Sequence, residues 1–209
     1  MFARTRRALA VDLRSAGRSE KPPGAFSIAD CADDLARLLD ALDLPVVDVV
    51  GSALGSLAGA VLAIRHPARV RRLVMCAVSD DVGGVTADYL TARAARVRTE
   101  GMRAVIESSL KNAFAAPRAA YRPIYLANHP DAYAELSLAL TGLRVDWGAI
   151  AAPTLVASGA HDFIWPPEHG RHVANLVPSA RFALLPDAGH FPHLQTPDAL
   201  VALATDFLA

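Results

Sequence analysis

Short apolar runs alternate with stretches of helical periodicity along most of the chain. The runs are "ALAVDL" (Ala8–Leu13), "VVDVVG" (Val46–Gly51), "RLVMCAV" (Arg72–Val78), "TLVASG" (Thr154–Gly159) and "RFALLP" (Arg181–Pro186). Near-continuous apolar runs suit strands buried on both faces. Their alternation with helices predicts an α/β fold with a five-stranded, mostly parallel sheet covered by helices. Ser27 followed by Asp30 forms a capping-box pattern, after which Ile28, Ala32, Leu35, Leu39 and Leu42 mark one helical face. Pro166-Pro167 and Pro197 predict the starts of two further helices. Between Ala87 and Trp147 the chain is helical in rhythm, rich in Ala and Arg, with no strand-like run. That stretch is too long for a loop and predicts a helical insertion able to act as a lid. Residues 1–83 and 149–209 then form the core, and 84–148 the lid.

The second run continues into "VVDVVGSALGSLAGAVLAIRHP" (Val46–Pro67), an apolar strand turning through glycines into a helix. This is the pattern G-x-S-x-G, on which many hydrolases mount a catalytic serine. Here Gly51 and Gly55 flank Ser52, Ala53 and Leu54, and the central residue is alanine. The doubled G-x-x-x-G of Gly51, Gly55 and Gly59 would also suit a transmembrane helix. The β-branched residues around Asp48 favour a strand instead, and the flanks offer no aromatic belt, so no membrane partner is expected.

The 209 residues suit one domain, with Lys+Arg and Asp+Glu balanced at 21 each. That balance argues against nucleic acid as a partner. Cys31 and Cys76 fall inside a predicted helix and strand and read as small buried hydrophobes in a reducing cytoplasm. Ligand spacings such as C-x-x-C do not occur, so no metal and no cofactor are expected. The basic start "MFARTRRALA" is not followed by an apolar stretch or a small-residue cleavage site, as a targeting peptide would be.

Parallel sheets bind ligands beyond the carboxyl ends of their strands. The elbow follows the second run, Asp162 in "GAHDFIWPP" the fourth, and His190 in "DAGHFPHLQTP" the fifth. Elbow, acid and histidine in that order are what a nucleophile–acid–base site on this architecture requires. Each alone has an ordinary reading: close packing for the glycines, a turn for Asp162, a solvated loop for His190. Their joint placement makes Asp162 and His190 the catalytic candidates. Asp80 and Asp81 are a fallback for the acid, and His161, His169, His172 and His193 are read as surface or supporting residues.

The chain resembles the α/β-hydrolase superfamily from end to end. The blocks carrying the likeness are "AVDLRSAGRSEKPPGAFSIADCADDLARLLDAL", "VVDVVGSALGSLAGAVLAIRHPARVRRLV", "PTLVASGAHDFIWPPEHG" and "LLPDAGHFPHLQTPDALVALATDFL". "YRPIYLANHPDAYAELSLAL" and "PPEHGRHVANLVPSARFALLPDAGH" resemble the 3-oxoadipate enol-lactonase branch. The "ALG" elbow resembles the aminoacrylate/carbamate hydrolases of bacterial pyrimidine degradation, whose elbow also carries alanine. The resemblance implies a hydrolase of a small ester, lactone, carbamate or related electrophile, with the backbone N–H of Leu54 in the oxyanion hole.

Two departures qualify this. Ala53 has no lone pair, so no covalent acyl-enzyme forms there, and neither Ser52, turned away, nor Ser56, a turn along the helix, is placed to replace it. Three strands and a His-Gly loop that precede "AVDLR" in the superfamily have no counterpart, so N-terminal truncation is expected. Ala8–Leu13 is then expected either to slide across and pair with Val46–Val50, or to detach and leave that edge to another chain in a homo-oligomer. The alternatives to an enzyme in which His190 and Asp162 activate water are a catalytically inactive ligand-binding pseudo-hydrolase, a truncated fragment, or a deliberate Ser→Ala change.

Overall fold

The computed structural model describes residues 2–4, 6–82, 85–113 and 121–209. One parallel sheet holds β1 (Val47–Ser52), β2 (Val70–Cys76), β3 (Thr154–Gly159) and β4 (Ala180–Leu185), side by side in chain order. Helices supply the crossovers that parallel neighbours need. α1 (Ile28–Ala41) precedes β1, and α2 (Leu54–Arg65) joins β1 to β2. Between β2 and β3 run α3 (Val85–Glu100), α4 (Ile106–Ala113), α5 (Tyr121–Leu126) and α6 (Pro130–Leu138). α7 (Pro167–Leu176) joins β3 to β4, and α8 (Pro192–Gln195) and α9 (Pro197–Leu208) close the chain.

Period-two alternation divides the core between the faces of the sheet. Leu73, Met75 and Val156 pack with Ile28 of α1, Leu57 of α2 and Val173 of α7. Val74, Cys76, Leu155 and Ala157 pack on the other side with Leu200, Ala204 and Leu208 of α9. The helices between β2 and β3 hold a separate cluster of Val97, Met102, Val105, Ile106 and Tyr125. Residues 84 and 114–120 of the expected lid lie outside the described residues.

The capping box forms: Asp30 N–H donates to Ser27 Oγ (3.2 Å) and Ser27 N–H to Asp30 Oδ2 (2.8 Å). Proline opens α7 and α9 as the sequence predicts. The stretch Val46–Pro67 divides into strand, turn and helix, and among the described residues no helix is long and apolar enough to cross a membrane.

The first apolar run is not a strand, so the sheet has four strands where five were expected. Ala8–Leu13 neither slides onto β1 nor swings clear. Arg6 donates to Asp48 Oδ2 (3.1 Å) and Leu208 O (3.0 Å), and Arg14 makes a two-pronged pair with Asp34 (2.6 and 2.8 Å). Both ends are therefore anchored while the middle has no ladder. An apolar run becomes a strand only where a neighbouring backbone completes its hydrogen bonds. β1 pairs with β2 alone and forms an edge, leaving Val50 42% exposed. That edge and residues such as Leu9 and Val11 line one cavity of about 780 Å³.

Candidate active site

Ala53 lies between β1 and α2 with φ 51° and ψ −117°, a region costly for any L-residue, on the order of 1–3 kcal/mol. The surroundings impose this turn. Ala53 N–H donates to Cys76 O (2.9 Å), and Ser56 N–H donates to Ala53 O (2.9 Å). Ser56 Oγ donates to Cys76 O (2.8 Å) and accepts from Cys76 N–H (3.0 Å), stitching α2 to the end of β2. Ser56 is thus fully buried and engaged, and cannot serve as a nucleophile. Ser52 Oγ is buried without a hydrogen-bond partner. A Cβ on Gly51 would stand 2.4 Å from Gly55 O, so glycine is required where strand and helix nearly touch. A Cβ on Gly55 would meet nothing within 4 Å, so that glycine of the motif is not demanded by space. Leu54 N–H lies in the first turn of α2, where amides have no intrahelical acceptor and the helix dipole favours negative charge.

Asp162 follows β3 and His190 follows β4, and the fold brings them together. His190 Nδ1 is 2.9 Å from Asp162 Oδ2 and 3.1 Å from Oδ1. Their side chains are 6% and 0% exposed. Asp162 Oδ1 also accepts the N–H groups of Ile164 and Trp165, both at 2.9 Å, so its charge is met by hydrogen bonds. A carboxylate only accepts, so Nδ1 carries the hydrogen and the lone pair of neutral imidazole lies on Nε2. Trp165 and Phe191 stand edge-on to the imidazole, with centroids 5.3 and 5.0 Å away.

Three consecutive amides fix the histidine loop. Gly189 N–H and Phe191 N–H donate to Gln195 Oε1 (2.9 and 3.2 Å), and His190 N–H donates to Ala113 O at the end of α4 (2.9 Å). From below, Gly159 lies so close that a Cβ on it would be 2.3 Å from Gly189 O.

The fallback acids lie elsewhere. Asp80 faces His172 (3.1 Å), and Asp81 N–H donates to Ser79 Oγ, which is 2.7 Å from His169 Nδ1. His161 N–H donates to Ala188 O, and the His193 ring packs near Phe191. Among the described residues no group of three His, Cys, Asp or Glu side chains could hold a metal ion. The cavity along β1 reaches Gly51, Ser52, Leu54 and Gly55, and Leu136 of α6, but not Asp162 or His190. Sequence reasoning set Ser56 aside as a nucleophile but missed its bonds to Cys76, and it missed Gly159, Trp165, Phe191 and Gln195. Ser56 and Gly159 act through contacts between segments distant in the chain and Gln195 through a side chain folding back on a loop, whereas Trp165 and Phe191 are neighbours in sequence of Asp162 and His190.

A family model described as "Alpha/beta hydrolase family" matches residues 2–203. The chain is 32% identical to a Variovorax paradoxus (strain S110) protein carrying the name carbamate hydrolase RutD, over 97% of this chain and 81% of that one. It is 29% identical to the 2-hydroxymuconate semialdehyde hydrolase of Pseudomonas putida, over 99% and 78%. Among solved structures, the enol-lactonase from Burkholderia xenovorans LB400 superposes with a TM-score of 0.88 at 30% identity, covering 94% of this chain and 78% of that one.

Proposed function

Because the chain belongs to the alpha/beta hydrolase family, we propose that it hydrolyses a small, already electrophilic ester, lactone, carbamate or related carbonyl compound without a covalent intermediate. The observation that carries this reading is the buried Asp162–His190 pair, kept intact after the carboxyl ends of β3 and β4 in the same parallel sheet whose β1 runs into the elbow at Ala53. The methyl group leaves room where a serine hydroxyl would lie, and a water molecule occupies it. His190 Nε2 takes a proton from that water as its oxygen bonds to the substrate carbonyl carbon. Asp162 stabilises the resulting imidazolium, and Leu54 N–H donates to the developing oxyanion. Collapse of the tetrahedral intermediate breaks the bond to the leaving group, which takes the proton back from His190.

The names of the relatives, which refer to a carbamate, a semialdehyde and an enol-lactone, support a small substrate. The helices of residues 84–148 act as the lid, a role consistent with the bond from His190 N–H to Ala113 O. Magnitudes restrict the substrate. Loss of the nucleophile costs a serine protease about a million-fold in turnover and leaves roughly a thousand-fold over water. Ordinary esters then turn over barely, and intrinsically labile substrates measurably.

A second reading, ligand binding without turnover, is favoured by Ala53 itself. The two separate on labile lactones and activated esters. His190→Ala abolishes hydrolysis above the buffer rate and Asp162→Asn reduces it strongly if the enzyme reading holds. Hydrolysis unchanged in His190→Ala moves the chemistry elsewhere and leaves the binding reading.

A further inference from the structure

We infer that Gln195 is a positioning residue for His190, acting through the backbone on either side of it. The inference rests on the proposed role of His190 as base. Gln195 ends α8, and its Oε1 accepts from the amides of Gly189 and Phe191. Two donors converging on one atom identify it as oxygen, since a side-chain NH₂ could accept neither. One side chain therefore brackets the histidine, while the amide between those two is held by Ala113 O.

The loop needs this help because its path is set against tight neighbours. Backbone at Gly159 presses on Ala188 and Gly189 from the β3 side, and the imidazole has to meet a carboxylate on a different strand connection. Remove the acceptor and the two amides flanking His190 lose this partner at once. The loop then relaxes toward solvent and carries the imidazole away from Asp162. A displacement of about 1 Å at a reacting group costs on the order of a hundred-fold in rate.

The required property is an acceptor at this spot. Glutamate supplies one with the same reach, whereas methionine fills similar volume without it. Glutamate also brings a negative charge near the imidazole, which favours its protonated form. Among the described residues, Asp162 is hydrogen-bonded to His190, and His193 interacts with it electrostatically.

The test is an NMR titration of the full-length protein and its Gln195→Met and Gln195→Glu variants, following the His190 ring protons and the downfield Nδ1–H signal. Hydrolysis of a labile lactone is measured alongside. In Gln195→Met the Nδ1–H signal should broaden or vanish at temperatures where circular dichroism reports a folded chain, and activity should fall about ten- to a hundred-fold with little change in KM. In Gln195→Glu the signal should return and the His190 midpoint should rise by about half a unit or more. A Gln195→Met protein with the wild-type Nδ1–H signal and titration overturns the inference, as does a Gln195→Glu protein that loses the signal like Gln195→Met. The resonance reports the position of His190 whether or not the protein turns over substrate. A failure of Gln195 to hold the loop is therefore distinguishable from a failure of His190 to catalyse.

Discussion

Gly159→Ala tests how closely the two halves of the acid–base pair are coupled through the backbone. Gly159 is the last residue of β3, three residues before Asp162, and an added Cβ would lie 2.3 Å from Gly189 O and 2.5 Å from Ala188 O. Those atoms are backbone, so no side chain can rotate away. The histidine loop has to retreat by about 1.1 Å or more to restore ordinary van der Waals contact. Asp162 and His190 are joined at 2.9 Å, and a retreat of that size along the bond takes them outside hydrogen-bond range. The expected cost is about 1–3 kcal/mol in stability from overpacking and on the order of a hundred-fold in rate from misplacement. The assays are a urea titration for stability and, for the pair itself, the downfield Nδ1–H proton of His190 with the rate on a labile lactone. A Gly159→Ala protein with wild-type midpoint, Nδ1–H resonance and rate would refute the claim that this contact sets the geometry of the pair.

Three further outcomes are expected. Ala53→Ser should create esterase activity on p-nitrophenyl acetate and stoichiometric labelling by a serine-directed phosphonate; labelling of the unmutated protein would instead place a nucleophile at another serine. Ser56→Ala should lower stability by about 1–3 kcal/mol, because it leaves the buried Cys76 N–H without its acceptor; an unchanged urea midpoint would contradict that role. Burial pushes the Cys31 thiol up to about 11 and the Cys76 thiol up to about 12, so the folded chain keeps protons that the unfolded chain releases above its ordinary thiol value of 9.0. Each thiol should therefore subtract about 1.4 kcal/mol of stability per pH unit from roughly pH 9 up to its folded value, and a Cys31→Ala, Cys76→Ala double variant should lack that slope.

Much of the architecture was legible in the chain. Four of the five apolar runs became strands, because each is flanked by helices that cover it and neighbours that complete its ladder. The capping box at Ser27 and the proline starts of α7 and α9 depend on chemistry within a turn of chain, and they formed as read. The positions of the elbow, Asp162 and His190 were legible for a related reason: strand ends in a parallel sheet share one edge, so chain order alone brings those residues to it.

The rest depended on contacts no local pattern contains. Ala8–Leu13 has the composition of a strand, but a strand exists only when a second backbone pairs with it, and this segment is tied down by side chains at its ends, Arg6 to Asp48 of β1 and Arg14 to Asp34 of α1, with no backbone ladder between. Ser56 looked like a spare hydroxyl one turn into a helix until β2 proved to lie within its reach. Gly159 read as an ordinary strand end, and Gln195 lay unremarked after the histidine. Folding set one beneath the histidine loop and turned the other back to its amides. Sequence determined which groups the protein has and in what order they reach the edge of the sheet. Tertiary structure alone decided which backbone atoms approach within 3 Å of one another, because that distance is set by the packing of whole elements.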